Sequence, residues 1–238
     1  MPGRFLEISL STPDIRASLD FYESLGFWQA PTGEVWSHPY GVVTDGRLVL
    51  GLHELPDFDA ITFVHPDVAA IAKSLSAAGV ALTLRHTDPE VFNRIEFVDP
   101  AGQKIRMLAA RTFSPTGRTA DQDSLLGYFT QYSMPAADLG AVAAFWEALG
   151  FVAMPAQDEP YGHQSLTSDG IDLALHSPRL HSAPALVFCD ERMAAKVDRL
   201  RDSGVAFDAS LPRGLAPAGN ALLDAPEGTQ LLLLTGTL

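Results

Sequence analysis

Two histidines end similar apolar segments in the two halves of the chain. His53 closes the segment Leu-Gly-Leu-His and His176 closes the segment Leu-Ala-Leu-His, each a few residues after an Asp-Gly pair. An imidazole at such a place can move a proton, bind a ligand oxygen or coordinate a metal ion. It can equally be a solvated strand-end residue that titrates normally, so both interpretations of this pair stay open.

The remaining histidines give no pattern of their own. They lie in or beside predicted turns, without His-x-x-x-His or comparable ligand spacing, and they are His38, His65, His86, His163 and His181. For each of them we predict no functional role. A glycine-rich phosphate loop, a nucleophile elbow and a nucleotide fingerprint are also missing, so no motif identifies a reaction by itself.

Trp36 is the best candidate for an aromatic wall against a flat ligand, because it lies on a short predicted strand. The aromatic residues of the predicted helices fall on apolar stripes, where they are far more often core than binding platforms. Cys189 is followed by Asp190, whose charge raises a thiol pKa, so we predict no nucleophile there. A single cysteine also excludes a disulfide within the chain.

The elements that position these residues repeat along the chain. Residues 12–27 and 134–151 share a pattern in which Asp14 matches Asp138 and Leu-Gly-Phe closes both segments. Apolar residues three or four apart predict one amphipathic helix in each segment. These residues are Ile15, Leu19, Tyr22 and Leu25 in the first segment and Leu139, Val142, Trp146 and Leu149 in the second. We place Pro13 in the first helical turn, and Gly26 and Gly150 at left-handed positions that end the helices.

A β-α-β-β-β unit is predicted twice in each half. In the first half the strands are expected at residues 5–10, 35–43, 47–52, 60–64, 80–84, 94–98 and 104–108. A second helix opens at Val68 and ends at Gly79, and the same landmarks return in the second half. Residues 111–124 are rich in Ser, Thr, Gly and Pro and predict a linker. The fold class is therefore α+β, with a first domain at residues 1–110 and a second at residues 125–238.

Composition limits the partners. The chain has 238 residues, 47% of them hydrophobic, and 16 basic against 29 acidic residues give a net charge of −13. Such a charge opposes nucleic acid and anionic membrane surfaces, and it favours positively charged ligands by steering. The sequence begins without an apolar signal segment and contains no run long enough to cross a bilayer. We therefore predict a soluble, cytoplasmic protein without a nucleic-acid or membrane partner.

The order of these motifs carries a family resemblance. A strand, a turn ending in Asp14, a helix closed by Leu-Gly-Phe, three strands and the Asp-Pro-Ala-Gly turn at residues 99–102 resemble the vicinal oxygen chelate superfamily. That superfamily holds glyoxalase I, extradiol dioxygenases and bleomycin-resistance proteins. The resemblance covers nearly all of both halves and implies two tandem glyoxalase-like domains. In each domain, paired βαβββ modules would curl into a cupped mixed sheet that encloses a site.

The resemblance also implies where metal ligands would stand, on the opening and closing strands of each module. In this sequence those positions hold Glu7, Gly51, Ala60 and Arg106 in the first half and Gln131, Ala174, Ala185 and Leu232 in the second. One oxygen donor in each half falls short of the three or four that a divalent ion usually needs. We therefore predict no metal and no cofactor, with a divalent metal bound through Glu7 and His53, or Gln131 and His176, as the alternative.

The first functional hypothesis is a bleomycin-resistance-like protein that binds a small aromatic or cationic molecule in a cup without a metal. The second is a divalent-metal lyase or dioxygenase, and the third is a scaffold whose cups are filled by side chains. Whether the protein is an enzyme stays open, as does the choice between monomer and homodimer. The candidate ligand-binding residues are Glu7, His53, Arg106, Trp36, Gln131 and His176.

One contact is predicted inside the first cup. Alternation along the opening strand sends Ile8 and Leu10 to one face and Glu7 to the other, toward the cup. The family pattern directs the closing strand's Arg106 to the same centre. We therefore expect a partly buried ion pair between Glu7 and Arg106 in the place of a metal.

Overall fold

The structure is a computed structural model that describes residues 3–32, 36–88, 90, 92–109, 124–208 and 210–238, which form two mixed sheets and four helices. The strands of the first sheet are β1 (Arg4–Ser11), β2 (Trp28–Ala30), β3 (Tyr40–Thr44), β4 (Val49–His53), β5 (Ala60–His65), β6 (Leu82–His86), β7 (Arg94–Val98) and β8 (Lys104–Ala109). The strands of the second sheet are β9 (Tyr128–Pro135), β10 (Val152–Ala153), β11 (His163–Thr167), β12 (Leu173–His176), β13 (Ala185–Asp190), β14 (Ala221–Asp224) and β15 (Gln230–Thr235). The helices are α1 (Ile15–Ser24), α2 (Val68–Ala77), α3 (Leu139–Ala148) and α4 (Met193–Asp202).

Both sheets follow one plan. The first has the order β2-β3-β4-β1-β5-β8-β7-β6 and the second has β10-β11-β12-β9-β13-β15-β14. In the first, β1 is parallel to β4 and antiparallel to β5, and β5 is parallel to β8. The second sheet repeats these three pairings with β9, β12, β13 and β15. The predicted α+β class with two cupped mixed sheets is confirmed.

Helix α1 begins at Ile15, after Pro13, whereas the sequence analysis placed Pro13 in its first turn. Asp14 is the N-cap of α1, and its carboxylate accepts from the backbone of Arg16 and Ala17. Pro13 therefore lies before the helix, because a carboxylate side chain satisfies the first free N–H groups better than a threonine placed two residues earlier. The helix ends are as predicted, since Gly26 has φ 90° and Gly150 has φ 96°, a region that favours glycine.

The four modules differ in detail. Strand β3 starts at Tyr40, later than the predicted residue 35, and residues 33–35 lie outside the described part of the chain. In the fourth module, the described residues between α4 and β14 include no strand, whereas the second module has β6 in that place. In this segment the Asp208 N–H donates to the Leu222 carbonyl of β14. The segment then continues to Pro212, which has no N–H to donate to a neighbouring strand.

One continuous cluster of buried apolar side chains draws on both halves. The first helix of each half hydrogen-bonds to the closing turn of the other half. The Tyr22 hydroxyl of α1 donates to Glu227 at 2.6 Å, and the Trp146 indole N–H of α3 donates to Asp99 at 3.0 Å. These reciprocal bonds, like the repeat itself, indicate that the two sheets pack as related units within a single chain.

The predicted linker, residues 111–124, lies outside the described residues apart from Ser124, so the domain limits stay a prediction. Within the described part of the chain, no helix is both long and apolar enough to cross a membrane.

Candidate functional site

The first sheet has a polar, buried face opposite the common core. A β-bulge follows Phe5 on β1, so that Phe5 packs on core Phe63 while Glu7 and Ser9 face the other way. Three further polar side chains reach this face from neighbouring strands. We call the buried set the first cup: Glu7, Ser9, His53, Thr62 and Arg106. Burial of this many polar groups requires partners for each of them.

Glu7 is the centre of a hydrogen-bonded chain across the floor of the first cup. Its Oε1 lies 2.7 Å from Ser9 Oγ and 2.9 Å from His53 Nε2. The other nitrogen of His53, Nδ1, lies 2.9 Å from His38 Nε2. Burial by itself raises the pKa of Glu7, but His53, Ser9 and the Arg106 charge outweigh it and hold that pKa below its usual value. Glu7 is therefore ionised at neutral pH.

Arg106 is almost fully buried and belongs to a second network. Its Nε donates to Glu96 Oε1 at 2.7 Å, and its Nη2 donates to the Phe58 carbonyl at 3.1 Å. Its Cζ also lies 3.6 Å from the centre of the Phe58 ring, a cation–π contact. Its Nη1 is buried and has no hydrogen-bond partner among the described residues.

The predicted direct pair between Glu7 and Arg106 is wrong. Thr62 on β5 stands between them, because it pairs in register with Glu7 on one side and with Arg106 on the other. Two strand spacings, roughly 10 Å, therefore separate the two backbones. Glu96 lies directly opposite Arg106 on the neighbouring antiparallel strand β7, so it reaches the guanidinium first.

Aromatic rings cover the first cup. The Trp36 ring lies 5.2 Å from Phe58 and 5.7 Å from His53, and Tyr40 stacks on His53 at 5.6 Å. His38 joins the same group, with its ring 5.1 Å from Phe58. Trp36, His38 and Tyr40 are half-buried, whereas Phe58 is buried. The structure thus places Trp36 among these rings, in a bend before β3 and not on the predicted strand.

The residues of the first cup do not fit a divalent metal at the position that the superfamily would use. Glu7 stands there with Gly51, Ala60 and Arg106, and a Cβ on Gly51 would collide with the Glu7 carboxylate. That carboxylate is directed to His53, and the nearby guanidinium supplies positive charge. Among the described residues, no group of three or more His, Cys, Asp or Glu side chains is arranged to hold a metal ion.

The second cup has different contents. Gln131 donates to the Tyr161 hydroxyl at 3.2 Å and accepts from Ser165 at 3.1 Å. His176 accepts from Ser133 at 2.8 Å and donates to the His181 carbonyl at 3.0 Å. The rest is an apolar cluster made of Tyr161, Ala185, Val187, Cys189, Leu222, Leu232 and Leu234, packed by Leu180, Leu211 and Leu215. Apolar side chains therefore occupy the second cup.

His176 makes this cup sensitive to acid. Burial lowers its pKa to about 4, whereas the unfolded chain binds the proton near pH 6.5. Since the folded pKa is the lower one, we expect stability that is complete above pH 6.5 and falls by about 3 kcal/mol as the pH drops toward 4. Urea unfolding of the wild type and His176→Gln at pH 7.5 and 4.5 checks this. The difference between them should change with pH, while an exposed control, His86→Gln, should run parallel to the wild type.

Three residues that contact the first cup were not predicted from the sequence. His38 was assigned no role, and Phe58 and Glu96 were not singled out. Glu96 was within reach of sequence reasoning, because the Asp99 turn sets the hairpin register and puts Glu96 opposite Arg106. His38 and Phe58 lie outside strands, and no periodic signal places such residues.

Solved structures share this fold. A mutant of homoprotocatechuate 2,3-dioxygenase from Brevibacterium fuscum is 19% identical, with a TM-score of 0.62 over 97% of this chain and 70% of that chain. A variant of the same enzyme in complex with HPCA is 18% identical, with a TM-score of 0.62 over 99% of this chain and 72% of that chain. A catechol 2,3-dioxygenase is 13% identical, with a TM-score of 0.61 over 96% of this chain and 86% of that chain.

No protein-family model matches the sequence, and no curated protein matches it. The likeness to the solved structures nevertheless spans both sheets and all four described helices. Together with the βαβββ order and the two cups, it identifies the architecture. The chain therefore shares the fold of these dioxygenases, with two related mixed sheets.

Proposed function

We propose that the first cup binds a small aromatic molecule that carries an anionic or other acceptor group, without a divalent metal. The observation that carries this proposal is Arg106, whose Nη1 is buried in the cup and lacks a hydrogen-bond partner among the described residues. An unsatisfied buried donor costs free energy, and a ligand oxygen that accepts from it recovers that cost. The aromatic cover around Phe58 and Trp36 suits a flat ring.

The charges at the first cup favour a different ligand from the cation that the sequence suggested. The acidic surface had suggested a cation, but Arg94 and Arg106 both reach this site, and Arg94 Nε is also buried without a hydrogen-bond partner among the described residues. The Arg94 guanidinium lies 5.9 Å from the Trp36 ring centre. The buried polar atoms that lack a hydrogen-bond partner at this site are therefore donors, which favours a carboxylate or carbonyl oxygen on the ligand.

A thermal-shift screen of protein purified without chelator tests the proposal. Benzoate, phenylacetate and phenylpyruvate are compared with benzylamine and phenethylamine, which match them in size but carry a cation. We expect the acids to raise the melting temperature and the amines to leave it unchanged, because only binding to the folded state stabilises it. Arg94→Gln should weaken the shift, whereas Arg179→Gln, an exposed arginine of the second half, should not.

The second candidate is a divalent-metal lyase or dioxygenase. It is supported by the likeness to extradiol dioxygenases, although likeness at 13–19% identity concerns the fold. The donor set described above does not fit a metal at the superfamily's position. The same screen with Mn²⁺, Fe²⁺ and Zn²⁺ separates the candidates. Acid binding that requires one of these ions would contradict the metal-free proposal and favour the second candidate.

A further inference from the structure

A groove lies between the two halves of the chain and has a volume of about 390 Å³. Each half contributes the same two elements to it. The loop before β5 and the turn between β7 and β8 line the groove from the first half, and the loop before β13 and the turn between β14 and β15 line it from the second. None of the five residues of the first cup lines it. The groove is therefore a separate place at which a ligand can contact both halves.

The charged side chains of the groove leave an excess of negative charge. Asp57 and Asp59 come from the first half and Glu227 comes from the second, whereas Lys104 is the one cation among the described residues that line the groove. Lys104 Nζ is held at one side, where it donates to the Asp57 backbone carbonyl at 2.6 Å. Three carboxylates against one ammonium group leave two net negative charges. A ligand with two positive charges would balance them.

Two of these carboxylates are held in place by the protein. Asp59 Oδ1 accepts from the Ser11 backbone N–H at 3.1 Å. Glu227 accepts from Ser18 Oγ at 2.7 Å and from the Tyr22 hydroxyl at 2.6 Å. An ionised carboxylate has about four acceptor positions, so each of the two can still bind an ammonium group. Because they are already oriented, a ligand would lose less free energy in ordering them.

A buried tyrosine gives independent support for a ligand in this groove. Tyr132 is 8% exposed and lines the groove, and its hydroxyl makes no hydrogen bond to the described residues. Burial raises the pKa of Tyr132, and the Asp59 charge raises it further, which places the hydroxyl on the side of the groove. The hydroxyl oxygen can therefore accept a hydrogen bond from an ammonium group that also binds Asp59.

Apolar groups accompany the charges. Leu10 lies at the base of the groove as a buried residue, and Ala183 and Pro184 line it from the second half. A chain of methylene groups between two ammonium ends would cover this apolar surface. A metal ion offers no such groups, and among the described residues no three carboxylate, histidine or cysteine side chains are arranged to hold one.

We infer that this groove binds a small aliphatic diamine, at a site separate from the first cup. One ammonium group would bind Asp59 and the Tyr132 oxygen, and the other would bind Glu227. The methylene groups would pack on Leu10 and Pro184. Since Asp59 belongs to the first half and Glu227 to the second, the ligand would bridge the halves and stabilise the folded chain.

Calorimetric titration with 1,4-diaminobutane tests this inference. We expect one site per chain and an affinity that falls as salt is added, because the carboxylates of an open groove are screened. Butylamine has the same four carbons and a single charge, so it should bind about 5–10-fold more weakly, a loss between that of an exposed ion pair and that of a charged hydrogen bond.

Asp59→Asn removes the charge and keeps an oxygen that accepts from Ser11, so the loop should stay in place. It should weaken the binding of 1,4-diaminobutane by about 5–10-fold. Tyr132→Phe, which removes only the hydroxyl, should weaken it by about 2–10-fold. Asp158→Asn removes an exposed carboxylate outside the groove and should bind like the wild type. Unfolding curves confirm that each variant is folded.

Two outcomes would overturn the inference. Equal affinities of the wild type and Asp59→Asn, or several diamines bound per chain, would show that the net charge of −13 attracts diamines without a defined site. Binding of Ca²⁺ that depends on Asp59 and displaces the diamine would assign the groove to a metal ion instead. Failure of the aromatic acids to bind would contradict only the proposed function of the first cup, because the two sites share no lining residue.

Discussion

Arg106→Leu is expected to lower the free energy of unfolding by about 3–5 kcal/mol, the range found when one partner of a buried ion pair is removed. The substitution leaves Glu96 without its 2.7 Å partner and deprives Glu7 of a nearby positive charge. It also removes the cation–π contact with Phe58. Urea unfolding at pH 7.5 measures the change, and a value below about 1 kcal/mol would contradict the account of this network.

The second half of the chain suggests the matched control. Leu222 on β14 pairs in register with Leu232 on β15. This leucine pair corresponds to the Glu96–Arg106 pair of the first half. Replacement of a buried ion pair by packed apolar residues is often neutral. The double variant Arg106→Leu with Glu96→Leu should therefore recover most of the lost stability, and it should not show the thermal shift that we propose for aromatic acids, because it lacks the Arg106 donor. Arg201→Leu, which removes the exposed pair with Asp198, should cost no more than about 0.5 kcal/mol.

Trp146→Ala should destabilise the protein by about 3–5 kcal/mol. The side chain is fully buried, its ring lies 5.0 Å from Phe151, and its N–H bonds to Asp99 across the boundary between the halves. Burial raises the pKa of Asp99, and the bond from Trp146 is among the contacts that oppose this rise. Loss of the indole therefore removes apolar contacts and also leaves a buried carboxylate with fewer donors.

Trp28→Ala is the control for this substitution, because Trp28 is 39% exposed on the edge strand β2 and makes no bond to the other half among those described. We expect its cost to be well below that of Trp146→Ala. Trp146→Phe keeps a ring and removes the hydrogen bond, with an expected cost of about 1–3 kcal/mol. Equal unfolding curves for the Trp28 and Trp146 alanine variants would show that the reciprocal docking of α1 and α3 contributes little.

The sequence by itself determined the elements and their faces. Leucine and isoleucine at alternate positions of β1 placed Glu7 on the face away from the core, and helical spacing placed Tyr22 and Trp146 in it. Glycines at φ 90° and 96° ended the helices where the Leu-Gly-Phe pattern put them. These features are local, because alternation, capping and turn chemistry act within a few residues.

Only the tertiary structure decided which side chains meet. Periodicity gives the face of a strand but not its lateral place, and so it could not show that Thr62 separates Glu7 from Arg106. Periodicity also could not predict that His38, which lies in a loop, contacts His53, or that leucines from residues 180–234 fill the second cup. The physical reason is that these contacts depend on strand order and loop packing, which are set by the free energy of the whole core.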